Sequence, residues 1–369
     1  MRASAVGPGL LLTVFMGPGL ASCAAASRLP VEIHPAPSSQ VAPAPSQGTA
    51  LPRVRLVATG GTISNRSGGR LTAEELVRSM PDIERYVRPE FEQFANAASG
   101  SLSLKQWIDL ANRLNALLTE DRELAGLVVT SGTDTLEELA YFLHLTVHAD
   151  APVVIVGSMR NPSTLGYEGA ANLFEAYRAA ADPASRGKGV LVVLNDEINS
   201  ARDVTKTDAH RLQTFQSREY GLLGVVDADR VVYYRDVVKR HTKRSEFDVS
   251  TLDSLPRVDV VMTYQGATGD VIKAIVDQGA KGIVVAAAGA GATSGTQDEG
   301  IRYAIAKGVF VVTTTRTGGG RIARSRMSSG SGWQIQGEDL APVKARILLM
   351  LALTKTTDGA DIQRMFTEY

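Results

Sequence analysis

The chain predicts an α/β fold: a large N-terminal domain with a mostly parallel sheet flanked by helices, then a smaller C-terminal α/β domain. Three observations predict it. From Arg53 onward, short β-branched runs alternate with longer segments of helical periodicity, the pattern of parallel strands joined by right-handed crossovers. Several of the short runs are continuously apolar, as strands buried on both faces must be. The alternation lapses between Leu222 and Leu255 and then resumes, which places an N-terminal domain at 53–245, a linker at 246–256 and a C-terminal domain at 257–369.

The strands are expected at 54–58, 127–130, 153–157, 190–194, 258–264, 283–288 and 309–314, each rich in Val, Ile and Leu. Helices are expected at 73–80, 104–118, 134–147, 169–181, 270–278, 297–307 and 342–353, where apolar residues recur at helical spacing. Residues 225–226 and 231–234, split by Asp227, Ala228 and Asp229, predict a hairpin.

Ahead of this pattern lie two segments of different character. Arg2 is followed by an apolar stretch broken by Gly7, Pro8, Gly17 and Pro18, too short and interrupted for a membrane-spanning helix. It ends in Leu20-Ala21-Ser22-Cys23, which looks like a bacterial lipobox: a signal peptide at 1–22 and lipid attachment at Cys23. Residues 23–52 are rich in Pro, Ser and Ala and have little to bury, so they predict a semi-extended tether. Cys23 is the only cysteine, so no intramolecular disulfide and no cysteine-based metal site can form. Lys plus Arg and Asp plus Glu each total 39, a balance that argues against nucleic acid as a partner.

In open parallel sheets, ligands bind beyond the carboxyl ends of the strands. Two segments stand there. Thr59-Gly60-Gly61-Thr62-Ile63 follows the first strand, with two glycines for a sharp turn that turns the Thr62 hydroxyl into a site. Ser131-Gly132-Thr133-Asp134-Thr135 follows the next core strand, with Asp134 and Thr135 expected to open a helix. Taken singly, either segment reads better as a structural turn with a helix cap. Their shared position after strands makes the pair harder to dismiss as turns alone.

With these residues in view, the sequence resembles the bacterial-type L-asparaginases, the family that includes the glutaminase-asparaginases. The two segments match its two signatures, and the similarity continues through Val156-Gly157-Ser158-Met159-Arg160, Arg202-Asp203-Val204-Thr205-Lys206-Thr207 and Phe247-Asp248-Val249-Ser250, over essentially all of 53–369. The resemblance implies hydrolysis of L-asparagine to L-aspartate and ammonia through a threonine nucleophile, either Thr62 or Thr133, without metal or cofactor. It implies a triad-like group of Thr133, Asp134 and Lys206. It assigns Ser99 to the substrate α-carboxylate and Asp134 to the α-ammonium. It also implies a homotetramer of paired intimate dimers and a periplasmic setting.

These residue types suit such chemistry. A threonine hydroxyl must lose its proton to attack an amide, and a lysine accepts it only where its pKa falls from about 10.4 toward neutrality. Glycine-rich turns expose N–H donors for the oxyanion. Thr62 is the favoured nucleophile because its glycine-flanked turn leaves the hydroxyl exposed.

The chain also departs from the family pattern. The lid segment 64–70 is short and has no tyrosine, Gly100 stands where glutamine is usual, Gly266 replaces an asparagine offered by a neighbouring subunit, and 313–326 contains no acid. Two further readings therefore stand beside the asparaginase: a glutaminase-asparaginase of broad specificity and a non-catalytic amino-acid-binding lipoprotein.

Three other features carry less. The segment 289–295, rich in glycine, lacks the dinucleotide spacing and reads as a tight turn. His144 and His148 lack the glutamate of a metalloprotease helix and read as ordinary helix residues. Arg321, Arg324 and Arg326 form a small basic cluster, expected to be solvated, with binding of a partner subunit or of the substrate carboxylate as the alternative.

Overall fold

The computed structural model describes residues 50–323 and 333–369. The signal-like segment 1–22, Cys23, most of the 23–52 stretch, Arg324 and Arg326 lie outside the described residues. β1 (Arg53–Gly60) leads into a two-strand hairpin, β2 (Asn65–Arg66) and β3 (Gly69–Arg70). There follow α1 (Ala73–Arg78), β4 (Arg88–Ala97), α2 (Leu104–Glu120), β5 (Leu124–Thr130), α3 (Leu136–Thr146), β6 (Val153–Val156), α4 (Gly169–Ala181) and β7 (Val190–Leu194). β8 (Glu197–Ser200) comes next, then a small ribbon of β9 (Thr205–Lys206) and β10 (Phe215–Gln216), and the hairpin β11 (Gly224–Val226) and β12 (Val231–Tyr233). The remainder is β13 (Val258–Met262), α5 (Asp270–Asp277), β14 (Gly282–Ala287), α6 (Gln297–Ala306), β15 (Phe310–Thr315), β16 (Gln334–Gln336), α7 (Pro342–Ala352) and α8 (Gly359–Glu368).

The larger sheet has eight strands in the order β12-β11-β8-β7-β6-β5-β1-β4. Its five strands from β4 to β7 are parallel, and β8, β11 and β12 extend it antiparallel. The smaller sheet, β13-β14-β15-β16, is parallel throughout.

The continuous apolar runs follow from burial on both faces. On β5, Leu127 and Val129 join the cluster formed with α2 and α3, while Val128 points the other way into the cluster of α1 and α4. Each such side chain contributes about 1.5–3 kcal/mol through its burial. The first cluster continues through α7 to Val284 and Val312 of the smaller sheet. The segment 246–256 adds Phe247 and Val249 to that cluster, both buried.

Local signals explain the helix starts. Thr72 with Glu75 and Ser103 with Gln106 form complete capping boxes on α1 and α2. α3 begins at Leu136, two residues later than expected, so Asp134 lies in the turn before the helix and Thr135 is its N-cap residue.

Eight elements were not anticipated: the short strands β2, β3, β8, β9, β10 and β16, the longer strand β4, and α8. β4 reads Arg-Pro-Glu-Phe-Glu-Gln-Phe-Ala-Asn-Ala, and its proline and polar residues fit an edge strand bonded only to β1. α8 packs Ile362, Met365 and Phe366 inward from a start capped by Asp358. Among the described residues, no helix is long and apolar enough to cross a membrane.

Candidate active site

β1 and β5 are parallel neighbours, so their carboxyl ends set the two glycine-threonine turns side by side. The turns are tied at their roots: Thr59 N donates to Thr130 Oγ1 (3.1 Å) and Thr59 Oγ1 to the Thr130 carbonyl (2.6 Å). Gly61 adopts φ +92°, and a Cβ there would fall on the backbone of Gly132. Glycine is needed at 61 for the dihedral and for the close approach alike. On the other side of β1, β4 delivers a third strand end. Gly61 N donates to the Ala97 carbonyl (2.9 Å), and two residues on, Ser99 lies so close that a Cβ on Gly132 would come 2.9 Å from its Oγ.

Three strand ends thus enclose a small polar cleft, lined by Thr62, Ser99, Thr133 and Asp134 together with Asn65 and Arg70 of the hairpin. Ser99 and Thr133 are buried, Thr62 is half-buried, and the Asp134 side chain is 86% exposed, open to an arriving cation. Lys206 reaches the same group from β9. Its Nζ donates to Thr133 Oγ1 (3.0 Å) and to Asp134 Oδ1 (2.8 Å).

Lys206 is held in place from both sides. Its backbone N donates to Glu137 Oε1 (3.2 Å), and β10 pairs Phe215 with it. Just upstream, the buried Lys344 of α7 donates to the carbonyls of Arg202 (2.9 Å) and Val204. Burial pushes the Lys344 ammonium down to about 8. A helix of the smaller sheet therefore anchors the segment that carries Lys206.

All five residues singled out in the folded part of the sequence, Thr62, Ser99, Thr133, Asp134 and Lys206, come together here. The expectation that Asp134 opens a helix is corrected: it sits in the preceding turn, where its carboxylate is free to pair with Lys206.

Sequence reasoning missed Asn65, Arg70 and Tyr167. The Ser67-Gly68-Gly69 step between polar residues is a hairpin signal, and it folds Arg70 back opposite Asn65. Tyr167 has no local signal: it comes from the loop between β6 and α4 and donates to the Ile63 carbonyl (2.9 Å).

The weaker features resolve structurally. His144 is fully buried, and its Nδ1 accepts from Val190 N (3.1 Å). His148 Nε2 lies 3.0 Å from the Phe247 carbonyl. Ala288 and Ala292 bridge across the glycine-rich turn. Arg321 pairs with Glu338.

Known proteins resemble this chain over most of its length. Residues 53–239 match the family model "Asparaginase, N-terminal" and residues 257–366 match the "Glutaminase/Asparaginase C-terminal domain". L-asparaginase 2 of Bacillus subtilis is 43% identical over 86% of this chain and 87% of its own. L-asparaginase 2 of Escherichia coli is 38% identical over 87% of this chain and 94% of its own. Glutaminase-asparaginase of Pseudomonas fluorescens biotype A is 36% identical over 87% of this chain and 91% of its own. The crystal structure of a probable cytoplasmic L-asparaginase from Campylobacter jejuni superposes with a TM-score of 0.80 at 40% identity, covering 87% of this chain and 100% of that one. Two family models end to end, and relatives of more than 30% identity over nearly their full lengths, show that this chain belongs to the asparaginase/glutaminase family.

Proposed function

We propose that this protein hydrolyses the side-chain amide of L-asparagine to L-aspartate and ammonia. The observation that carries the reading is Lys206 Nζ bridging Thr133 Oγ1 and Asp134 Oδ1 at the mouth of a cleft that also holds Thr62 and Ser99. Thr62 Oγ attacks the amide carbon, the C–N bond breaks, and ammonia leaves with the help of a proton. Water then cleaves the threonyl ester, releasing aspartate and restoring the hydroxyl. Thr133 and Lys206 handle the protons, a role typically worth about 10²–10⁴-fold in rate. Asp134 receives the α-ammonium and Ser99 contributes to the α-carboxylate site.

The trapping experiment tests the assignment. A slow substrate should leave an acyl group on Thr62 in the Lys206→Met protein. An adduct on Thr133 would exchange the two threonine roles.

Activity on glutamine is a second reading with an observation behind it. A Cβ placed on Gly100, next to Ser99 of the cleft, would meet nothing within 4 Å, so the cleft is open on that side. One methylene is worth only about 1–3 kcal/mol of discrimination. Asparagine remains the better substrate in this reading. A larger kcat/KM for glutamine in an ammonia-release assay would move the assignment to a glutaminase.

The setting is proposed on the sequence. Leu20-Ala21-Ser22-Cys23 followed by a Pro-rich stretch supports export, cleavage before Cys23 and lipid attachment there. Ala24 rather than aspartate after it favours the outer membrane, facing the periplasm. Mass spectrometry of the mature N-terminus decides the point. We take 53–245 and 257–369 as the two domains. We also take the assembly to be a homotetramer, supported by Val260, Met262 and Tyr264, which stand exposed along the edge strand β13 and its extension. An active monomer in light scattering would refute it.

A further inference from the structure

The cleft has one charged feature that the family resemblance does not assign. Among its described lining residues the only carboxylate is Asp134 and the only cation is Arg70. Arg70 Nη1 is buried, yet it has no hydrogen-bond partner. A buried guanidinium N–H left unpaired is costly, of the order of the desolvation penalty of the group. A site that keeps such a donor beside a cleft is built for an acceptor that arrives with the ligand.

The hairpin holds Arg70 in place. Asn65 pairs with Arg70 and Arg66 with Gly69 across β2 and β3. Leu71 N closes the base on the Ser64 carbonyl (2.7 Å). At the tip, Ser67 N donates to Ser163 Oγ (2.8 Å), and at the base Asn96 Nδ2 donates to the Leu71 carbonyl (3.3 Å). The short segment is thus fastened at both ends, and its last residue faces the cleft from a defined position.

An amino-acid substrate brings one carboxylate and one ammonium. The exposed Asp134 carboxylate suits the ammonium. Ser99 offers the carboxylate only a neutral hydroxyl, and Gly100 beside it offers no side chain. We propose that Arg70 is the principal anchor of the substrate α-carboxylate, acting with Ser99 and defining the ligand class as α-amino acids with a free carboxylate. This inference rests on the amidohydrolase reading above. A charge-assisted, bidentate guanidinium–carboxylate pair supplies the geometric selectivity that a lone hydroxyl lacks.

The test compares L-asparagine with L-asparagine α-amide, which keeps the side-chain amide and loses the carboxylate. In the Arg70→Gln protein, KM for asparagine should rise roughly ten- to hundredfold, with kcat nearly unchanged, while KM for the α-amide should stay within about twofold. Calorimetry should show L-aspartate binding weakened by a similar factor, a readout independent of turnover. Arg70→Lys should recover only part of the loss, because the fork geometry is gone. Equal losses on both substrates at unchanged aspartate affinity would overturn the proposal and make Arg70 a positioning residue. So would wild-type kinetics on asparagine. A wild-type protein that releases no ammonia from either amide would instead defeat the amidohydrolase reading, while aspartate calorimetry would still judge Arg70.

Discussion

The phenol of Tyr167 donates a 2.9 Å hydrogen bond to the carbonyl of Ile63, the residue after Thr62, from 104 positions away in the chain. The 3-10 turn that carries Thr62 is otherwise braced by Ser64, whose Oγ donates to the Gly61 carbonyl (3.0 Å). Tyr167→Phe leaves the Ile63 carbonyl without this partner. The expected result is a kcat several-fold lower with little change in KM, and a stability loss of about 1 kcal/mol. Steady-state kinetics and a thermal melt check both. An unchanged kcat would detach Tyr167 from the geometry of the turn.

Lys206, Thr133 and Thr62 act as one unit in the proposed chemistry. Lys206→Met should lower kcat by at least about 10²-fold. Thr62→Ala and Thr133→Ala should each nearly abolish turnover, and the double variant should be little worse than either alone, since groups of one unit are not additive. Full activity in Thr62→Ala would discard the scheme. Ser99→Ala, by contrast, should act chiefly on KM.

A buried ion pair links the two sheets. Arg202, 6% exposed, gives both terminal nitrogens to the Asp339 carboxylate at 2.8 Å, and Tyr220 adds a third bond at 2.7 Å. Burial alone would raise the Asp339 carboxyl, but the Arg202 guanidinium and the Tyr220 hydroxyl hold it well below the usual carboxylate range. Asp339→Asn leaves Arg202 with Asp203 (3.3 Å) as its remaining carboxylate partner and should cost about 1.5–3 kcal/mol in urea unfolding. Asp339 with its depressed pKa stabilises the fold above the unfolded value near 3.8, and that contribution is lost as pH falls further.

His144 and His241 lie with ring centroids 5.0 Å apart. Burial holds His144 well below 6.5, with the neighbouring His241 adding to the effect. Burial, helped by Arg244, lowers His241 to about 4. Both bind protons more weakly folded than unfolded, so the fold loses stability as pH drops from 6.5 toward 4. For His241 alone the loss is about 3 kcal/mol at most. Urea midpoints measured across that range should fall, and His241→Gln should flatten the slope. An equal slope in the variant would place the acid sensitivity elsewhere.

The alternation of strand and helix was legible because strands buried on both faces have to be apolar throughout, as Val153–Val156 and Val190–Leu194 are. β4 escaped because an edge strand is free to carry Pro89 and several polar residues. α8 has an apolar triplet at helical spacing, but ten residues at a chain end give a weak periodic signal.

By itself the sequence determined the α/β architecture and set Thr62, Thr133 and Asp134 just beyond strand ends, because strand burial and strand-end turns are written in local residue order; Lys206 was singled out only through the family resemblance. Only the tertiary structure decided that Lys344 anchors the segment before Lys206, that Tyr167 braces the Thr62 turn and that Arg70 brings a buried, unpaired donor to the cleft. Those relations join segments far apart in the chain, or depend on which side chains find partners after packing. No periodicity records them, since a partner's distance is set by how sheets and helices close on one another.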